Sequence, residues 1–130
     1  FCGDHVMGWS TTVVAPPDGD MAAYMRSLDT VIARGFATLW PTHGPAITDV
    51  APFLAAYCEH RLGRERGVLQ RLAAGDRTIP AIVEALYAQV DPRLWPAAGL
   101  SVQAHLIKLV AEGRAVAGPA PTLEACYAPA

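Results

Sequence analysis

Long apolar runs are missing from this 130-residue chain, because Asp, Arg or Pro interrupts every one. None approaches the roughly 18 residues that a membrane-spanning helix needs, so no membrane partner is expected. The first residues have neither a basic start nor an apolar core, and no secretory signal is expected. Cysteine is sparse: Cys2, Cys58 and Cys126 lie far apart, and no CxxC occurs. An odd number of distant cysteines suits neither a disulfide framework nor a zinc ribbon. Reduced, inert thiols in a cytoplasmic protein are the expectation. A Gly-rich phosphate loop and a Ser/His/Asp nucleophile pattern are also absent. Charged residues make up only 17% of the chain, and its net charge is −2.

Apolar residues reach 52%, enough to build a core. Charge divides the chain unevenly. Residues 1–60 carry two arginines against six acids, a balance of −4. Residues 61–130 carry eight basic residues against six acids, a balance of +2. Two units with different tasks are expected, neither basic enough to argue nucleic-acid binding from charge.

Residues 11–15 are short and β-branched, which predicts a strand. The turn cluster at 16–20 leads into a helix with Met21, Tyr24, Met25, Leu28 and Ile32 on one face, ending at Gly35. The methionines read as core packing. Residues 36–40 predict a short buried strand running into the loop Pro41-Thr42-His43-Gly44-Pro45. Asp49 is suited to cap a second helix with Val50, Phe53, Leu54 and Tyr57 inward. That helix is expected to continue through Val68, Leu69 and Leu72 to Gly75, whole or broken near Gly63 and Gly67. Thr78 should cap a helix buried through Ile79, Ile82, Val83, Leu86, Tyr87 and Val90, stopped by Asp91-Pro92. Residues 96–99 lead into another helix, with Val102, Leu106, Leu109 and Val110 inward and Gly113 at its end. Strands at 115–117 and 122–127 around Gly118-Pro119-Ala120-Pro121 complete the order of a winged helix.

The residues that can carry chemistry are few. Asp4 follows the end of an expected strand, and so does His43 in its tight loop. Donors at strand ends face a cleft from a rigid base. A carboxylate can bridge two cations, and a neutral imidazole binds zinc well. His5 is expected to point away from Asp4, and Trp9 is a candidate cleft wall. His60, Arg61 and Arg64, with Glu65, could line the cleft mouth and meet an anionic substrate; a solvated helix face explains them equally well. In residues 97–112 Lys108 is the sole fixed positive charge, and the wing has none, so sequence-specific duplex DNA is not an expected partner.

The wording Gly3-Asp4-His5, Gly8, Thr11-Thr12 and Trp40-Pro41-Thr42-His43-Gly44-Pro45 resembles the C-terminal metal motifs of the metallo-β-lactamase superfamily. His60-Arg61-x-x-Arg64-Glu65 and the helical tail are similar to its branch with a C-terminal winged helix, which includes endoribonucleases. The resemblance covers essentially the whole chain. It implies an α/β fold class with a mainly helical tail: residues 1–60 as the end of the αββα catalytic domain and 61–130 as the winged helix. It also implies that Asp4 bridges two metal ions, usually zinc, and that His43 binds the second. The family's His-x-His-x-Asp-His cluster does not occur among His5, His43, His60 and His105. The chain, which opens on Phe1 without a methionine, is therefore expected to be a C-terminal fragment, inactive and weakly metal-binding by itself. The resemblance implies a metal-dependent hydrolase acting on a phosphodiester or on an acyl compound such as a thioester, and the expected partners are the N-terminal half and either a small-molecule substrate or single-stranded nucleic acid. The alternative is a non-catalytic winged-helix module for protein or nucleic-acid interaction.

Overall fold

The computed structural model describes residues 1–130. It is mostly helical: α1 Met21–Arg34, α2 Val50–Ala74, α3 Ile79–Leu86, a 3-10 turn Pro92–Leu94 and α4 Trp95–Ala111 precede a hairpin of β1 Ala115–Gly118 and β2 Cys126–Pro129. No helix is long and apolar enough to cross a membrane. Contacts divide the chain into two compact units, 1–13 with 23–62, and 14–22 with 63–130. The division falls inside α2, which is one uninterrupted helix of 25 residues. Gly63 and Gly67 therefore do not break it.

In the first unit Val6, Tyr24, Leu28, Leu39, Ile47, Val50, Leu54 and Tyr57 are buried. The inward stripe of α1 is shorter than its periodicity predicts, since Ile32 is 43% exposed. Neither of the strands expected at 11–15 and 36–40 forms. Residues 11–15 form no ladder, and at Thr12 side chains take both backbone groups. The Thr12 N–H donates to the Tyr57 hydroxyl and the Thr12 carbonyl accepts from Arg61. Of residues 36–40, Leu39 alone is buried, and it makes a single antiparallel bridge to Ile47. Phe36 and Trp40 are about half exposed.

In the second unit Val68, Leu72, Ile82, Val102, Leu106, Leu109 and Tyr127 are almost fully buried in one cluster. Local signals set its element ends. Gly75 (φ 110°) and Gly113 (φ 69°) close α2 and α4 in left-handed turns. Each is followed by a backbone bond reaching back five residues, Asp76 to Arg71 and Arg114 to Leu109. Thr78 caps α3 through a bond from the Ala81 N–H. That helix stops at Leu86, one turn before the predicted end at Val90: Tyr87 leaves helical geometry at φ −120°, and the Trp95 indole donates to the Tyr87 and Val90 carbonyls beyond the helix end. The hairpin is antiparallel, pairing Ala115 with Pro129 and Gly118 with Cys126. Its second strand starts at Cys126, not Thr122. Residues 122–125 instead form a turn in which the Thr122 carbonyl accepts from the buried Tyr127 hydroxyl at 2.6 Å. Burial, with Glu124 nearby, pushes that phenol up to about 12.

One acid ties α2, α4 and the approach to the wing together. The side chain of Glu65 is only 6% exposed; it accepts from Lys108 Nζ at 2.7 Å and from Arg114 Nη1 at 2.8 Å. Glu112 shares both cations. His105, Lys108 and Arg114 hold the Glu65 carboxyl down at about 2 although its burial pushes the other way. The His105 ring lies 3.9 Å from Glu65, too far for a hydrogen bond, so the direct donors are Lys108 and Arg114. A carboxyl at about 2 folded and 4.5 unfolded stabilises the fold above pH 4.5, and that stabilisation disappears as pH falls toward 2. Glu65→Gln should remove most of this at neutral pH, and its denaturant midpoint should converge on the parent's as the solution is acidified. Parallel acid limbs for the two proteins would contradict the assignment.

Candidate functional site

Asp4 and His43 are brought together by backbone pairing. Gly3 and Pro41 form a parallel bridge, one residue long, in which Cys2 N–H donates to Trp40 O and Thr42 N–H to Gly3 O, both at 3.0 Å. Asp4 is one residue past this bridge and His43 is two past it. Their side chains are 61% and 54% exposed, with Asp4 Oδ1 3.6 Å from His43 Nε2. A second clamp lies beyond them, where Gly8 N–H donates to His43 O at 2.9 Å. Here the two backbones touch. A Cβ on Gly44 would fall 2.7 Å from Gly8 Cα, and one on Gly8 would fall 2.7 Å from Pro45 O. Gly44 also has φ +96°, which side-chain-bearing residues rarely adopt.

The loop from Asp4 to Thr12 is braced from below. Thr12 Oγ1 lies 2.5 Å from Asp4 O and 3.0 Å from His5 O. The Tyr24 hydroxyl donates to His5 O at 2.8 Å. Burial, only partly offset by Thr12 and Arg61, pushes this phenol up to about 12. Tyr57 Oη accepts from Thr12 N–H at 2.8 Å and reaches Ser10 O at 3.2 Å. The His5 ring packs edge-on against Tyr24 at 5.0 Å, and its Nε2 is buried without a partner. Sequence periodicity counts Tyr24 and Tyr57 only as apolar residues. The signal for their second role is the hydroxyl that each carries into a core position.

The other expected site residues are placed differently. Trp9 is 75% exposed and His60 is also exposed. Arg61 is 4% exposed, donates to the Thr12 carbonyl and lies 5.2 Å above the Tyr24 ring. It is buried under the loop and does not line a cleft mouth, because its position on α2 is an inward one. Arg64, in the second unit, lies 4.5 Å over the Tyr87 ring and reaches the Leu86 carbonyl. Cys2, Cys58 and Cys126 are unpaired, and burial, with Asp29 nearby, raises the Cys58 thiol.

Two ligands of a tetrahedral zinc at about 2.0–2.1 Å stand roughly 3.3–3.4 Å apart. A carboxylate and an imidazole separated by 3.6 Å fit that edge as an adjacent pair. No cluster of three or more His, Cys, Asp or Glu forms in the chain.

A family profile described as Beta-lactamase associated winged helix domain matches residues 78–120. Beta-lactamase-like protein 2 homolog of Drosophila melanogaster is 32% identical over 122 residues, covering 88% of the chain and 39% of that protein. Atrochrysone carboxyl ACP thioesterase of Aspergillus chevalieri is 34% identical over 98 residues, 69% of the chain and 30% of that protein. The chain belongs to the metallo-β-lactamase-like family. A Beta-lactamase domain protein from Burkholderia ambifaria shares the fold at TM-score 0.84 and 24% identity, over 98% of the chain and 40% of that structure. A metallo-beta-lactamase family protein of Thermus thermophilus does so at TM-score 0.77 and 22% identity. The chain thus spans about 40% of the length of these two solved relatives.

In this metallo-β-lactamase-like chain the glycine pair sets how closely the loops carrying Asp4 and His43 approach. Gly44→Ala meets both a left-handed backbone and the Gly8 main chain, so it should lower stability by about 1–3 kcal/mol. Gly35→Ala, at a φ of +61° but with nothing within 4 Å of its added carbon, should have the smaller effect. Thermal melts of the two variants make the comparison; equal losses would show that the loop contact is not tight.

Proposed function

We propose that the chain is the C-terminal part of a metal-dependent hydrolase, with residues 1–60 belonging to the catalytic domain and 61–130 forming the winged helix. Asp4 and His43 would hold a metal centre, with two zinc ions as the favoured content. The observation that carries the reading is the pairing of a carboxylate and an imidazole, 3.6 Å apart, at the ends of one parallel bridge. Bound there, a zinc pair supplies a hydroxide nucleophile and polarises the attacked centre. The chain's own contribution is to orient Asp4 and His43 from a braced backbone and keep both side chains open to a ligand. An N-terminal half, supplying the remaining donors, is the implied partner.

An acyl substrate such as a thioester is favoured over a phosphodiester. One relative at 34% identity bears a thioesterase name. Arg61 and Arg64, the cations expected to meet an anionic substrate, are engaged within the fold. Three unpaired cysteines suit a reducing, cytoplasmic compartment.

Asp4→Ala and His43→Ala in the full-length protein should each lower thioester turnover and bound metal by roughly 100-fold or more, beyond the 10–100-fold typical of groups that merely support ligands. Metal analysis after dialysis and steady-state assays on a panel of thioesters, with an RNA oligonucleotide for comparison, provide the check. Near-normal metal content in either variant sinks the assignment, and turnover of the RNA alone moves the substrate to a phosphodiester. The 130-residue chain by itself, with two donors, should take up zinc only weakly; stoichiometric binding at sub-micromolar affinity would contradict the ligand count.

A further inference from the structure

We infer that Thr12 is a positioning residue for Asp4, acting through the main chain, and that Tyr57 and Arg61 of α2 exist in part to hold Thr12. The inference rests on the metal-hydrolase reading above. The Thr12 hydroxyl reaches back eight residues to the carbonyls of Asp4 and His5, at 2.5 and 3.0 Å. Fixing the Asp4 carbonyl fixes the peptide plane beyond its Cα, and with it the direction in which the carboxylate leaves the chain. A hydroxyl can do this only if its own backbone is fixed.

Helix α2 fixes it from both sides. Tyr57 and Arg61 are four residues apart, on one face of the helix. Tyr57 Oη accepts from the Thr12 N–H at 2.8 Å, and the Arg61 guanidinium donates to the Thr12 carbonyl. The Arg61 plane also covers Tyr24, whose hydroxyl donates to the His5 carbonyl at 2.8 Å. The contacts close a ring: His5 carbonyl, Tyr24, Arg61, Thr12 and the His5 carbonyl again. Burying a guanidinium against a neutral carbonyl carries a large desolvation cost. Arg61 is 4% exposed and its Nε has no partner. A loop packing requirement alone is met by an apolar side chain at that position. A buried donor aimed at one carbonyl is what a fixed backbone requires.

The test uses the full-length metal-loaded protein. Zinc affinity is measured by chelator competition, the cobalt-substituted protein by its visible spectrum, and the metal-free protein by thermal melting. Thr12→Val should weaken metal binding 10- to 100-fold, the range for residues that orient ligands. It should also alter the cobalt spectrum and lower kcat more than it changes KM, while Thr12→Ser restores all three. Should Thr12→Val not fold, Tyr57→Phe keeps the ring stacked at 5.9 Å on Phe53 and removes only the hydroxyl, with the same expected shifts. Unchanged metal affinity and spectrum in Thr12→Val, even with a lower melting temperature, would reduce Thr12 to a structural role and overturn the inference. Asp4→Ala serves as the control. If it keeps its metal, the hydrolase reading falls and this inference with it; if it loses metal while Thr12→Val does not, only the positioning role falls.

Discussion

The parallel bridge between Gly3 and Pro41 is one residue long, and both candidate donors hang from it. A single bridge is a weak constraint, because each extended residue next to it is free to swing. The surrounding contacts make up the difference. Gly8 and Gly44 press main chain against main chain, which no side chain would permit. Thr12, Tyr24, Tyr57 and Arg61 then occupy the carbonyls and amides that a longer ladder would have paired. Backbone groups partly withdrawn from water need partners. Here they find side chains, and the result is an irregular loop with a defined path.

The helices were legible in the sequence because their signals are local. Thr78 as a cap, Gly75 and Gly113 as left-handed stops and the spacing of Ile79, Ile82 and Val83 each act within a turn or two. Asp4 and His43 were legible as candidates through the wording around them and not through their spacing. The predicted strands at 11–15 and 36–40 were not realised, since β-branching only makes a strand available and pairing is decided elsewhere. Val13 is 72% exposed and its neighbour Val14 only 4%, so the segment alternates as a strand would, yet no partner pairs with it. The misjudged end of α3 has the same origin. Tyr87 leaves helical geometry at φ −120° while its side chain still fits the apolar spacing, and no periodicity reports that.

Glu65 shows how a charge pattern can mislead. In sequence it sits beside Arg61 and Arg64 and reads as part of a charged ridge. In the structure it is buried and turned to Lys108 and Arg114, distant in the chain. Lys108 is thereby committed to two carboxylates, Glu65 and Glu112. The helix that would read a DNA groove in a DNA-binding winged helix has its one fixed cation neutralised inside the fold.

The same accounting extends to six of the nine arginines and bears on the ligand. Arg61 donates to Thr12, Arg64 covers Tyr87, Arg71 pairs with Asp76, Arg77 with the Leu72 carbonyl, Arg93 with Asp91, and Arg114 with Glu65 and Glu112. Affinity for a nucleic-acid backbone comes from cations that exchange internal or solvent partners for phosphates and release counterions. A guanidinium already held by a carboxylate must give up that pair first, so the gain from each phosphate contact is small. Asp4, with most of its surface exposed, adds negative charge at the mouth of the site itself. On the reading proposed above, the positive charge that draws a substrate toward Asp4 and His43 would come from bound metal and not from these six arginines.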